Sequence, residues 1–301
     1  MKNTIRIISL LLAAATLLPA CNKAVPEIAE EEAEVSFALD LGGLQTKAYS
    51  DGTSATALQV LVYSVRDAGF KYLPNVSLLS ERINGSTRVT LRLVKGESYH
   101  VVFWAQNPDG PYEVDPAGGT MTVSPAGLAN AEARDAFYNT WDGKVSGSFR
   151  ETVELRRPFA QINVMTTDED WKAAVDNEIQ FSGSSMTVTA PTMLNLHTGV
   201  ASKPAEYKLS AAAIDVEDSH MSRHKHIAMN YILAGDRTTS EVRFSVYRDG
   251  SSAQLYDYTV ANVPYERNFR TNIIGNIFGT DGVFNIIIVP EYQTPQNNVD
   301  F

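Results

Sequence analysis

The 301-residue sequence contains a single cysteine, Cys21. One thiol cannot form a disulfide within the chain, so the folded part must be stabilised by apolar burial and hydrogen bonding. Metal sites built from paired cysteines are excluded for the same reason. A cysteine nucleophile is not expected either, because Cys21 lies within an N-terminal signal.

Long apolar runs are equally scarce, and the only clear one extends from Ile7 to Leu18, after two basic residues. This order predicts a secretory signal peptide over residues 1–20, too short for a comfortable membrane span. The sequence Leu18-Pro19-Ala20-Cys21 resembles a bacterial lipobox. That resemblance implies that Cys21 becomes the acylated, palmitate-bearing first residue of the mature lipoprotein.

Positive charge is also in deficit, with 25 Lys and Arg residues against 35 Asp and Glu residues. Removal of Lys2 and Arg6 with the signal peptide lowers the 25 to 23. This balance argues against nucleic acid or an anionic membrane face as the partner. The acidic run from Glu30 to Glu34 repels itself, so we interpret residues 21–34 as a lipidated acidic tether.

The sequence lacks the motifs that carry common chemistries: a nucleophile elbow, a P-loop, a dinucleotide-binding glycine pattern and a zinc-protease helix. We therefore predict that the protein is not an enzyme and needs no cofactor. His220, His224 and His226 form the one visible cluster of metal-ligand type, and a polar loop is the alternative interpretation. No metal site is predicted, and these three histidines are the candidates if one exists.

Trp141 is the candidate ligand contact, because it stands in the turn-like segment Asn139 to Gly143. An exposed indole ring can stack on a sugar or bind a partner protein. Local packing is the alternative interpretation of the same residue.

What the sequence does contain is alternation of apolar and polar residues. The first such series is Val35, Phe37 and Leu39, and further series recur to the end of the chain. A period of two with one apolar face predicts half-buried strands of β-sandwiches. We predict short helices at residues 131–139 and 168–175, and a central, doubly covered final strand at residues 284–289.

A junction between two strand-rich halves is predicted at Arg156-Arg157-Pro158, because proline lacks an amide donor and suits the first residue of a strand. This division gives an N-terminal β-sandwich domain at residues 35–156 and a C-terminal one at residues 157–301.

Several segments together resemble one family. The family is that of Bacteroidales fimbrillin-like lipoproteins, the type V pilins and their relatives. The similar segments are Leu155 to Val164, Arg267 to Phe278 with the strand from Phe284 to Val289, and Thr46 to Gly52. The resemblance implies a mainly all-β fold of two tandem transthyretin-like Greek-key β-sandwich domains. It also implies a surface-exposed protein that is lipid-anchored in the cell outer membrane.

In pilin members of that family, a trypsin-like protease cuts a loop after the first strand, and subunits then assemble by strand exchange. Lys47 and Ala48 fall in the matching place here, although the best-known processing is arginine-specific. An ordinary loop lysine is the alternative. The resemblance makes the strand with Val35, Phe37 and Leu39 the displaced or donated one.

Two functions follow as expectations. The first is a fimbrial subunit or fimbria-associated lipoprotein that mediates adhesion, with other fimbrial subunits and host or bacterial surface ligands as partners. The second is a non-polymerising surface lipoprotein that binds glycan or a host protein.

Overall fold

The computed structural model describes residues 30–40, 51–67, 69–82, 86–216, 224–249, 251–279 and 283–289. Four of the predicted site residues lie outside these ranges, namely Cys21, Lys47, Ala48 and His220. Residues Glu32–Phe301 belong to one compact unit. Of the preceding unit, Met1–Glu31, only Glu30 and Glu31 are described.

The prediction of a mainly β fold is confirmed. The strands of the first half are β1 (Glu32–Asp40), β2 (Ala57–Arg66), β3 (Gly69–Tyr72), β4 (Leu78–Arg82), β5 (Ser86–Val94), β6 (Ser98–Gln106), β7 (Tyr112–Asp115), β8 (Thr120–Val123), β9 (Ala126–Leu128), β10 (Ala136–Lys144) and β11 (Phe149–Glu154). Those of the second half are β12 (Phe159–Thr167), β13 (Phe181–Asn195), β14 (Ala201–Ala213), β15 (His224–Leu233), β16 (Thr238–Arg248), β17 (Gln254–Tyr265), β18 (Arg270–Gly275) and β19 (Phe284–Val289).

The predicted second helix is confirmed as α1 (Asp168–Asp176). The Thr167 side chain caps its first turn by accepting a hydrogen bond from the Asp170 amide, and three acidic residues complement the positive end of the helix dipole. The helix predicted at residues 131–139 is wrong. Only a 3₁₀ turn, Glu132–Arg134, forms there, and strand β10 follows it.

The strands form four sheets, which we call A to D. Sheet A has the order β11-β1-β5, and sheet B has the order β10-β6-β2-β3 with β4 also paired to β2. Sheet C has the order β17-β16-β13-β14-β9, with β8 paired to β13 and β7 paired to β8. Sheet D has the order β15-β12-β18-β19. Strands β7 to β9 of the first half therefore belong to a sheet of the second half.

Sheets A and D repeat one arrangement around the first strand of each half. Strand β1 is antiparallel to β5 and parallel to β11. Strand β12 is likewise antiparallel to β15 and parallel to β18. Sheet D adds β19 at its edge, so the prediction of a central final strand is wrong. The side chains of Phe284, Ile286 and Ile288 are accordingly only part-buried.

Sheet B separates two apolar cores, and β6 contributes to both. Val101 and Phe103 belong to the core that includes the apolar side chains of sheet A. Val102 and Trp104 belong to the larger core, which contains side chains of sheets C and D. The predicted domain boundary at residues 156–157 stays a prediction. Within the described residues, helices are too short or too polar to span a membrane.

Candidate functional site

Strand β1 is the candidate functional element, because it is the first strand of the described chain and yet lies in the middle of a sheet. Both of its edges are paired, one with β5 and the other with β11. Phe37, for example, lies opposite Val89 on β5 and opposite Glu151 on β11. Removal of β1 would therefore leave two strand edges with unpaired backbone groups.

The inward face of β1 follows the alternation in its sequence. Ala33, Val35, Phe37 and Leu39 are each no more than 3 % exposed. The predicted displaced-strand residues thus form one continuous apolar face. Their burial occupies a groove between β5 and β11 that would otherwise expose apolar surface to water.

Within this groove, Phe37 lies in a pocket of aromatic side chains. The Phe37 ring centroid lies 5.1 Å from that of Phe103, 5.3 Å from that of Trp141 and 6.2 Å from that of Phe149, each in an edge-on arrangement. A 2.6 Å hydrogen bond from the indole nitrogen of Trp141 to Glu151 holds Trp141 beside the Phe37 ring. An aromatic side chain is therefore the shape that this pocket accepts best.

The other face of β1 carries polar contacts that fix its register. Ser36 shares a 2.9 Å hydrogen bond with Thr90 on β5, and the Glu34 amide donates to the Ser148 hydroxyl at 3.0 Å. Beyond Asp40, residues 41–50 lie outside the described residues and include Lys47 and Ala48. Processing there stays a prediction.

Trp141 lies in strand β10 rather than in a turn, and it is half-buried against Phe37 and Phe149. Its role as a ligand contact stays a prediction. His224 and His226 lie near the start of β15, two residues apart on an extended strand, so they share a face. No group of three or more His, Cys, Asp or Glu side chains suited to a metal ion is found among the described residues.

A buried ion pair at the junction between the halves was not predicted. Arg157 donates two hydrogen bonds of 2.7 Å to Asp135, and both side chains are at most 4 % exposed. The guanidinium carbon of Arg157 also lies 4.5 Å from the centroid of the Phe137 ring. The Arg157-Pro158 motif indicated a junction, but nothing local in the sequence indicated which acidic residue would pair with it.

Comparison with known proteins assigns the sequence to one family over most of its length. Residues 26–301 match the family described as "Family of unknown function (DUF6562)". Among curated proteins, none matches the sequence.

Solved structures with a similar fold include proteins from Porphyromonas gingivalis and Bacteroides thetaiotaomicron. The tip fimbrial protein Mfa3 from Porphyromonas gingivalis has a TM-score of 0.48 and 10 % identity over 86 % of this chain and 99 % of its own. The fimbrial anchor protein Mfa2 from the same organism has a TM-score of 0.45 and 12 % identity, over 86 % of this chain and 96 % of its own. A DUF1812 protein from Bacteroides thetaiotaomicron has a TM-score of 0.46 and 12 % identity, over 87 % of this chain and 100 % of its own.

Proposed function

The chain belongs to the DUF6562 family, and we propose that it is a cell-surface fimbrial subunit or fimbria-associated lipoprotein that assembles by β-strand exchange and mediates adhesion. The observation that carries this proposal is the place of β1, which is the first described strand and fills the middle of sheet A. The resemblance of residues 155–164 and 267–278 to fimbrillin-like segments supports it independently.

The physics of exchange follows from the burial of β1. Val35, Phe37 and Leu39 are each almost fully buried, and burial of such a side chain contributes about 1.5–3 kcal/mol. The three together hold the strand by roughly 5–9 kcal/mol, before its two hydrogen-bonded edges are considered. An empty groove is therefore costly, and it favours capture of another alternating segment by strand addition.

Cleavage after Lys47 is the proposed trigger. It would leave β1 attached to the body by noncovalent contacts alone, so that a neighbouring subunit could replace it. Acylation of Cys21 would hold the uncleaved chain at the outer membrane until then.

The test is the N-terminus and intact mass of the protein from native cells. A chain that begins at Ala48 supports a polymerising subunit, and a Lys47→Gln strain should then retain the longer chain and lose the polymer. A chain that still begins at acylated Cys21 contradicts proteolytic activation of this subunit.

A non-polymerising surface lipoprotein that binds glycan or host protein is the second candidate. The observation that favours it is the closure of sheet A by the chain's own β1, which leaves the groove filled without a partner. It is supported if the acylated protein from cells remains a monomer and binds glycan or host protein in that state.

A further inference from the structure

Two histidines from the two halves of the chain meet beside sheet B. His100 lies on β6, and His197 lies in the turn between β13 and β14. Their ring centroids are 5.2 Å apart, with the ring planes inclined at 58°. This pair is separate from the β1 groove and from the histidines near β15 that the sequence singled out.

His100 is held in one orientation by a carboxylate. Its Nδ1 lies 2.7 Å from Oδ1 of Asp142, the residue directly opposite on β10. Because an ionised carboxylate only accepts hydrogen bonds, Nδ1 is the donor in this contact, and Nε2 is the ring nitrogen that remains to contact a ligand. That Nε2 is buried and has no hydrogen-bond partner among the described residues.

His197 presents a second nitrogen in the same condition, since its Nδ1 is also buried without a partner in the described part of the chain. Phe70 stacks on its ring at a centroid distance of 4.2 Å, and Tyr63 meets it edge-on at 4.6 Å. A Cβ atom at Gly119 would collide with the imidazole, so glycine at that position makes room for the ring.

Both imidazole nitrogens are buried and have no hydrogen-bond partner among the described residues. A polar atom removed from water without a partner carries a desolvation cost, and a bound cation would offset that cost at both nitrogens.

We propose that Nε2 of His100 and Nδ1 of His197 bind a divalent transition-metal ion, zinc or copper. Imidazole nitrogen is a preferred ligand of both ions, and a carboxylate behind the ligating histidine is the usual support of such a site. The described residues offer no third His, Cys, Asp or Glu ligand in a suitable cluster, so water completes the coordination. The bound ion would link sheet B to the β13–β14 turn.

Calorimetric titration of Zn²⁺ and Cu²⁺ into the purified protein tests this site. The background carries His220→Gln and His224→Gln, which leaves only the buried His226 of the other histidine segment. We expect one ion per chain, a higher melting temperature with metal, and two nitrogen ligands in the Cu²⁺ electron paramagnetic resonance spectrum.

Two further variants on that background make the test specific. His197→Gln should weaken metal binding at least tenfold and abolish the metal-dependent rise in melting temperature. Asp142→Ala should weaken binding by about 10–100-fold, the usual effect of losing a supporting carboxylate. Asp142→Ala also leaves the buried His100 Nδ1 without its partner, so the metal-free melting temperature of this variant is measured as its own baseline for the metal-dependent rise. The proposal is overturned if no metal binds, which is the result expected if only a water bridges the two rings. It is also overturned if the metal affinity is unchanged in either variant.

Discussion

Replacement of Phe37 by alanine should cost the uncleaved protein about 3–5 kcal/mol of unfolding free energy. The ring is fully buried in the groove of sheet A and contacts Phe103, Trp141 and Phe149. Alanine would lose the burial of the ring and leave a cavity that strands paired on both sides of β1 cannot readily close. The three aromatic contacts favour the upper part of that range.

Urea unfolding followed by circular dichroism measures this change. With a urea dependence of about 2–3 kcal/mol per molar, the midpoint should fall by roughly 1–2.5 M. Trp141 contacts Phe37 directly, so the tryptophan fluorescence, to which Trp104 and Trp171 also contribute, includes a signal from this pocket. Glu34→Ala is the matched control on the same strand, since the Glu34 side chain is exposed and its loss should cost less than about 0.5 kcal/mol.

The same substitution tests the proposed exchange. In a chain cleaved after Lys47, a loss of about 3–5 kcal/mol in the free energy that binds β1 to the rest of the protein should raise the dissociation constant of β1 by about 100- to 4,000-fold. Faster release of Phe37→Ala strands from cleaved protein is therefore expected. A cost below about 1 kcal/mol, indistinguishable from that of Glu34→Ala, would refute the claim that β1 is an integral central strand.

Three other predictions concern the rest of the chain. Asp135→Ala should lower the free energy of unfolding, measured in urea, by about 3–5 kcal/mol because it leaves the buried Arg157 without its anion. As the control, loss of the exposed Lys172 charge should lower it by less than about 0.5 kcal/mol. In metal-free buffer, the free energy of unfolding should fall as the pH drops below about 6.5, because burial lowers the pKa of His197 in the folded state and the unfolded chain therefore binds the proton first. His197→Gln should flatten this pH dependence, and an unchanged slope in the variant contradicts the prediction. Cys21→Ala should abolish palmitate labelling and release the protein from the outer membrane; persistent labelling would place the acyl group elsewhere.

Local patterns in the sequence predicted the mainly β fold, several of its strands and one helix correctly. Alternation identified β1 and β12, and the acidic residues after Thr167 indicated α1. The helix predicted at residues 131–139 failed because pairing with β6, from Ala136 to Lys144, overrides local preference. The edge position of β19 was missed because an apolar run does not reveal which strands flank it.

The candidate site was only half predictable for the same reason. The alternation of Val35, Phe37 and Leu39 indicated a groove-filling face, but the parallel pairing of Phe37 with Glu151 joins residues far apart in sequence. The pairs between His100 and His197 and between Asp135 and Arg157 also depend on long-range folding. No local spacing encodes such contacts.

The repeated arrangement of sheets A and D bears on the kind of assembly that exchange would produce. Strand β12 occupies the same position as β1, but it runs directly into α1 through the Thr167 cap and begins beside the buried Arg157. It could leave its sheet only by unwinding the helix and breaking that ion pair. Strand β1 has no such attachment at its start within the described chain. The proposed exchange would therefore be restricted to the first half and would give one acceptor groove per subunit. A single groove filled by a segment of the neighbouring subunit would be a head-to-tail interface, and such interfaces propagate as unbranched filaments when the rotation between subunits does not close a ring.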